Sequence, residues 1–300
     1  MRVLVAGFIT IDTIQLPTRS ITSVGGPPSY AGLVCARFGL GVSVMTKVGQ
    51  DFPDDQLVWL ARNGLVMRDL QMSRTRATTR FKIENRASSR ELTLISRCED
   101  ITKDQLPDVR VDASLVSPIA GEVSPSLLTE ISAQSDFTFL DPQGFVRTFD
   151  GSGRVEIKPL KEKSILTKVD AVKMDREEAE ALTGRTNPTE ALEKLSVLGL
   201  RKGVVTQGSE SCFVLDGSRV YEVRVPRASV VDPTGAGDIL SGATMSFYLK
   251  TRDFLRSACF GVAASSLSLH MIALSKIDLP MSVDENAMRL YSQARPVAAV

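Results

Sequence analysis

A chain of 300 residues with 36 basic and 35 acidic side chains has a formal net charge of +1, so bulk charge gives no hold on nucleic acid or an anionic membrane. Cys35, Cys98, Cys212 and Cys259 are scattered with no C-x-x-C pair, and His270 is the sole histidine. This argues against a Cys/His zinc site and fits a reducing, cytoplasmic setting. No apolar run approaches the ~20 residues of a membrane span.

Residues 1–8 read as a short buried strand, and 11–16 alternate like a strand with one exposed face. Gly25-Gly26-Pro27-Pro28 opens a helix expected over 29–38. A buried strand at 42–48 and a helix at 54–63, closed by Gly64, come next. Strand then helix at this spacing predicts a doubly wound, mostly parallel α/β sheet flanked by helices. Residues 71–97 break the rhythm: 77–84 and 91–97 alternate across a polar turn at 85–90, as a hairpin does. A β-only insertion there is expected to form a small β-sheet lid from about 11–20 and 71–97, over a single α/β domain spanning 1–300. From 112 the rhythm resumes, with strands at 113–116, 137–141, 171–174, 203–207, 212–216 and 227–231. Helices are expected at 124–133, 176–182, 188–198, 239–250, 253–271 and 283–291, and 296–300 look frayed.

The most specific stretch is Asp232-Pro233-Thr234-Gly235-Ala236-Gly237-Asp238, between the last predicted strand and a helix. Two glycines let the backbone turn and approach a ligand closely. The amides opening the next helix suit an anionic phosphate, and Asp238 sets a carboxylate within the same turn. By itself such a turn is often a plain connection, and such an Asp a helix cap. The dinucleotide pattern G-x-G-x-x-G fails at Leu240, and no Lys-Ser/Thr pair follows to make a Walker loop. What remains resembles the second signature of the ribokinase-like, phosphofructokinase-B-type carbohydrate kinases, roughly D-T/P-x-G-A-G-D. The resemblance implies the ribokinase-like fold and Asp238 as catalytic base. Amides of Gly235, Ala236 and Gly237 would surround the transferring phosphoryl group, with Thr234 beside them. ATP and Mg²⁺ are the expected cofactors, the metal held through water near Asp175 and Glu178 with no direct protein ligand.

Other positions take roles from the same resemblance. Asp12 is placed to accept bonds from adjacent polyol hydroxyls, and Gly25 and Gly26 to let a substrate approach the helix start. Tyr30 stands where the family usually has Asn. Thr206 and Gly208 resemble the T-x-G turn that touches the nucleotide, and the small residues of 261–267 would suit a flat base. Arg97 is expected to return toward substrate or phosphate. Tyr30, the run Asp141-Pro142-Gln143-Gly144-Phe145-Val146-Arg147, and Asp175 in an Asn-x-x-Glu slot look like archaeal myo-inositol kinases. Gln143 would then bind substrate. A nucleoside acceptor should want a second aromatic platform, and none stands near these motifs.

The expectation is an ATP-dependent kinase of a small polyol or sugar, myo-inositol first. Fructose, ribose, 2-keto-3-deoxygluconate and nucleosides stay open as acceptors, as does a non-catalytic nucleotide or metabolite sensor. Neither nucleic acid nor membrane is expected as a partner. A monomer or a homodimer through the lid, another phosphate donor, and a monovalent-cation requirement are all left open.

Overall fold

The computed structural model describes residues 1–16, 18–85, 90–277 and 282–300. Strand β1 (Arg2–Ala6) sends Val3 and Val5 into one apolar cluster and Leu4 and Ala6 into another, as a strand covered on both faces must. Strands β2 (Thr10–Gln15) and β3 (Ser20–Gly25) pair antiparallel. The helix predicted over 29–38 opens instead as a single π turn, Pro28–Gly32, that runs into α1 (Leu33–Arg37). Such turns are frequent at functional sites.

Strand β4 (Gly41–Gly49), α2 (Asp54–Arg62), β5 (Leu65–Val66) and β6 (Leu70–Ser73) follow. Strands β7 (Arg80–Asn85) and β8 (Arg90–Ser96) join β2 and β3 in a separate four-stranded sheet ordered β3-β2-β7-β8. The strand predicted from 77 starts later because Thr78 and Thr79 serve the main body. The Thr78 hydroxyl accepts from the Gly49 amide and donates to Asp51, and the Thr79 hydroxyl accepts from the Cys98 amide. The centre of the predicted polar turn, 86–89, lies outside the described residues.

The second half carries β9 (Ala113–Val116), α3 (Pro125–Ala133), β10 (Thr138–Leu140), α4 (Gln143–Val146) and a small hairpin, β11 (Arg147–Phe149) with β12 (Val155–Ile157). Then come β13 (Ala171–Asp175), α5 (Arg176–Thr183), α6 (Pro188–Val197), β14 (Lys202–Thr206), β15 (Ser211–Asp216) and β16 (Arg219–Arg224). Helices α7 (Ala236–Thr251), α8 (Phe254–Ser268) and α9 (Val283–Gln293) lead to β17 (Arg295–Ala299). Capping places several helix starts: Ser124, Asp175, Asn187 and Asp253 each accept a backbone amide of the first turn.

The main sheet runs β17-β16-β15-β14-β13-β10-β9-β1-β4-β5, with β6 also on β4. It is parallel from β14 through β5 and antiparallel from β14 to β17. Helices α1, α7, α8 and α9 cover one face, and α3, α5 and α6 the other. This is the ribokinase-like α/β architecture with a small separate sheet.

Two further expectations are corrected. Residues 227–231 form no strand but an irregular segment, since Pro226 ends β16's ladder by withholding an amide. Residues 296–300 are not frayed: β17 pairs antiparallel with β16 across Arg219–Ala299 and Val220–Ala298. Among the described residues no helix is long and apolar enough to cross a membrane.

Asp51 fixes the root of the small sheet, accepting from the Thr78 amide and hydroxyl and from Arg80, each at 2.8 Å. Burial pulls its carboxyl upward, but Arg80 and Thr78 outweigh that and hold it at about 2, against 3.8 for the free side chain. Because the folded value is the lower one, this stabilisation is complete above pH 3.8 and is lost as pH falls through about 2. Asp51→Asn should therefore lower Tm at neutral pH, with the gap to wild type closing in acid. A gap of constant size in a pH series of thermal melts would show that the charge is not what holds the root.

Candidate active site

The Asp232–Asp238 turn is built from its ends inward. The fully buried Asp232 carboxylate accepts from the amides of Thr234 at 2.9 Å and Ala273 at 3.2 Å. Gly235 then takes a left-handed φ of 76° and caps α7. A Cβ on it would lie 2.7 Å from the Tyr30 ring, so the ring packs directly on the turn. Asp238 follows in the first turn of α7, whose amides form the positive end of the helix dipole.

This turn is the shared wall of two cavities. Thr234, Gly235 and Asp238 face a cleft of about 400 Å³, mouth included, on the side of the small sheet. Pro233, Ala236 and Gly237 face a larger one of about 1000 Å³. The larger cavity is mainly apolar, with Cys212, Val225, Pro226, Val230, Leu240, Val262 and Leu269 in its walls. Thr206 and Gly208 line it as well, and so do Val262, Ser265 and Ser266 from the small-residue stretch 261–267. The irregular segment mistaken for a strand supplies Ala228 and Val230.

The smaller cleft collects most of the predicted acceptor residues: Asp12, Gly26, Tyr30, Gln143 and Asp238. Gly25 is not in its lining but makes room for it. A Cβ there would meet the Asp12 carboxylate at 2.0 Å, whereas Gly26, at φ 84°, would strike the Phe8 carbonyl at 2.1 Å. Arg97 is not brought in. Its guanidinium donates to the carbonyls of Ala120 and Cys98 and pairs with Asp100. The arginine that lines the cleft is Arg147, at the junction of α4 and β11.

Sequence reasoning missed the apolar wall of the cleft, in which Phe81, Ile83 and Leu92 come from the small sheet and Ile119 from the main body. Phe81 is the second aromatic whose absence was expected. Lys173 was missed too, although a lysine inside the buried run Ala-Val-Lys-Met-Asp is a detectable signal.

Lys173 lies 2.9 Å from Asp141, and both side chains are almost wholly buried. Burial works against the ammonium, yet Asp141, Glu178 and Asp175 outweigh it and lift Lys173 above the ordinary lysine range. Asp175 and Glu178 form a capping box, each carboxylate accepting the other's amide at 2.8 and 2.9 Å. Glu178 is buried, with Arg147 at 3.5 Å. Burial pushes its carboxyl up, Asp141 and Asp175 add to that, and Lys173 and Arg147 only partly offset it. Asp175 stays at the edge of two polar grooves, one shared with Arg147 and the other with Thr206 and Gly208.

The fold and the turn between two cavities are those of a phosphotransferase acting on a sugar or polyol hydroxyl, as the family match shows. The chain belongs to the pfkB family of carbohydrate kinases, which it matches over residues 17–273. It is 27% identical over 286 residues to an inositol 3-kinase of Arabidopsis thaliana, covering 93% of this chain and 77% of that one. It is also 26% identical over 257 residues to a cytidine kinase of Thermococcus kodakarensis, covering 83% and 88%. Among solved structures it resembles a pyrophosphate-dependent myo-inositol-1 kinase converted into a myo-inositol-3 kinase by two substitutions to leucine. That likeness has a TM-score of 0.80 and 23% identity over 96% of this chain and 99% of the other.

The Gly25–Asp12 contact generates a test. In Gly25→Ala the new methyl must push the Asp12 carboxylate away, and a misplacement on the order of 1 Å costs about 10²-fold in rate. Acceptor kcat/KM should fall by roughly that factor while nucleotide affinity is unchanged. Steady-state kinetics with a calorimetric nucleotide titration would check it, and an unaltered acceptor kcat/KM would remove Asp12 from the site.

Proposed function

We propose that this chain transfers the γ-phosphoryl group of ATP to a hydroxyl of a cyclic polyol, myo-inositol first, and at its 3-position. One observation carries the reading: Asp238 faces the smaller cleft while Gly237, its neighbour, faces the larger. An acceptor in the first and a nucleotide in the second would meet across a single helix turn. The acceptor oxygen bonds to the γ-phosphorus as the bond to the bridging oxygen breaks, and ADP leaves with that electron pair. Asp238 takes the hydroxyl proton, and first-turn amides stabilise charge on the group in flight.

Asp12, Gln143, Thr10 and Arg147 offer donors and acceptors to several hydroxyls, and Tyr30, Phe81 and Leu92 cover apolar ring surface. The apolar walls of the larger cavity favour a nucleoside triphosphate over pyrophosphate, which has no apolar part to fill them. Mg²⁺ would neutralise charge on the phosphates. Among the described residues no group of three acidic side chains is placed to hold it directly, so its fit rests on the oxygens of Asp175 and Glu178 acting through water. The small sheet acts as the lid that excludes competing water.

What supports the 3-position is that Phe81, Ile83 and Leu92 of the small sheet give the smaller cleft an apolar wall. Two substitutions to leucine are what distinguish the converted 3-kinase from its parent. A second reading has its own support: two aromatics, Tyr30 and Phe81, line the smaller cleft where a nucleoside base could stack, and a cytidine kinase is among the relatives.

Three measurements decide. ADP formation across inositol, cytidine, fructose and 2-keto-3-deoxygluconate should favour inositol. Higher kcat/KM for any other acceptor would overturn the substrate while leaving the kinase. Asp238→Asn should lose roughly 10²–10⁴-fold in kcat with ATP binding largely kept, and turnover within threefold of wild type would reject Asp238 as base. Replacing the apolar wall with Phe81→Asn/Leu92→Ser should shift the product from the 3-phosphate toward its mirror image, the 1-phosphate. Chiral chromatography reads this directly, and an unchanged product would mean that the lid does not select the hydroxyl.

A further inference from the structure

Gly237 has no conformational reason to be glycine. It lies inside α7 with a helical backbone, where glycine weakens a helix relative to alanine. The reason is spatial. A Cβ built on it would have just one neighbouring side chain within 4 Å, Lys173, with Nζ at 2.9 Å and Cε at 3.5 Å. Gly237 also lines the larger cavity, so the ammonium stands directly behind the residue that faces the place where phosphates would lie, in the space a side chain at 237 would take. Lys173 itself is 5% exposed and held at 2.9 Å by Asp141, whose other oxygen is buried and accepts no hydrogen bond among the described residues.

We propose that Lys173 is the buried cation of the phosphoryl pocket, acting through the gap at Gly237 on the group transferred between the two cavities. This rests on the kinase reading above. As the γ-phosphoryl group passes from the bridging oxygen of ATP to the acceptor oxygen, negative charge spreads over its outer oxygens. A fixed ammonium in a water-poor setting stabilises that charge without reorganising. Asp141 keeps the ammonium charged and aimed. The bland alternative is that Lys173 and Asp141 are a structural ion pair that the fold merely tolerates.

The two are separated by removing both charges. Deleting one partner of a buried pair strands the other and destabilises, whereas deleting both often restores stability. Lys173→Met/Asp141→Asn should thus melt close to wild type while its kcat stays down by about 10²–10³-fold, with acceptor KM little changed. Gly237→Ala, which suits a helix and closes the gap, should also fold and lose turnover. Near-normal turnover in either folded variant overturns the proposal. Calorimetry needs no acceptor and so keeps the test independent of the substrate. The double variant should bind ATP at least tenfold more weakly than wild type and AMP equally well, and equal ATP affinity would also overturn it. A wild-type protein that forms no ADP with any acceptor sinks the kinase reading instead, and the ATP-against-AMP comparison then decides Lys173 alone.

Discussion

The contact between the Tyr30 ring and Gly235 is the constraint on which the site depends. A side chain at 235 is excluded twice, by a left-handed φ of 76° and by ring carbons 2.7 Å from where its Cβ would be. Seven residues on, Gly242 brings the same face of α7 against the backbone of Ala31, where a Cβ would meet the carbonyl oxygen at 2.7 Å. Two glycines two turns apart thus let α7 lie directly on the π turn. The start of α7 and the wall of the smaller cleft are therefore packed as one unit. Gly261 repeats the device between α8 and α7, where a Cβ would lie 2.1 Å from the Thr244 hydroxyl. Small residues here serve close approach rather than flexibility.

Charge in the site is organised around the same wall. Lys173 and Arg147 sit among Asp141, Asp175 and Glu178 in a region largely closed to water. Buried ions are costly to desolvate, so they are weak evidence for stability and better evidence for function. Arg147 also begins the hairpin that borders the small sheet. Leu94 of β8 donates its amide to the Gly153 carbonyl at 2.8 Å, and Gly153, at φ 81°, admits no Cβ because Leu94's carbonyl oxygen would be 2.2 Å away. The hairpin covers the open edge of β8 and ties the small sheet to the segment that carries a cleft arginine.

The chemistry of the turn was legible because it is local. Two glycines, an acid and a helix start within seven residues dictate one backbone geometry, whatever packs on it. The α/β rhythm and the insertion of a second sheet were legible for the same reason, as periodicities of contiguous sequence. Lys173, Phe81, Ile83 and Leu92 were not, because what they face is set by topology. Parallel pairing puts β13 beside β10, and only then does Lys173 meet Asp141. Arg97 shows the converse: its place at the end of a hairpin suggested reach, but the carbonyls of Ala120 and Cys98 were nearer partners. Strand β17 gave no signal because it is a mostly exposed edge of five residues, with no alternation for a buried face to impose.

That division between local and topological information also says where specificity resides. The reacting group, the amides around it and the wall between the cavities come from one contiguous turn, and relatives named inositol 3-kinase and cytidine kinase match the chain over comparable spans. The smaller cleft is assembled from β2, the π turn, β7, β8, the stretch around Ile119 and α4, most of which can change without disturbing the turn. A family built this way can hold its chemistry fixed while its acceptor drifts. The type of reaction is therefore the firmest statement that a sequence of this kind supports, and the identity of the hydroxyl follows only once the walls of the cleft are in place.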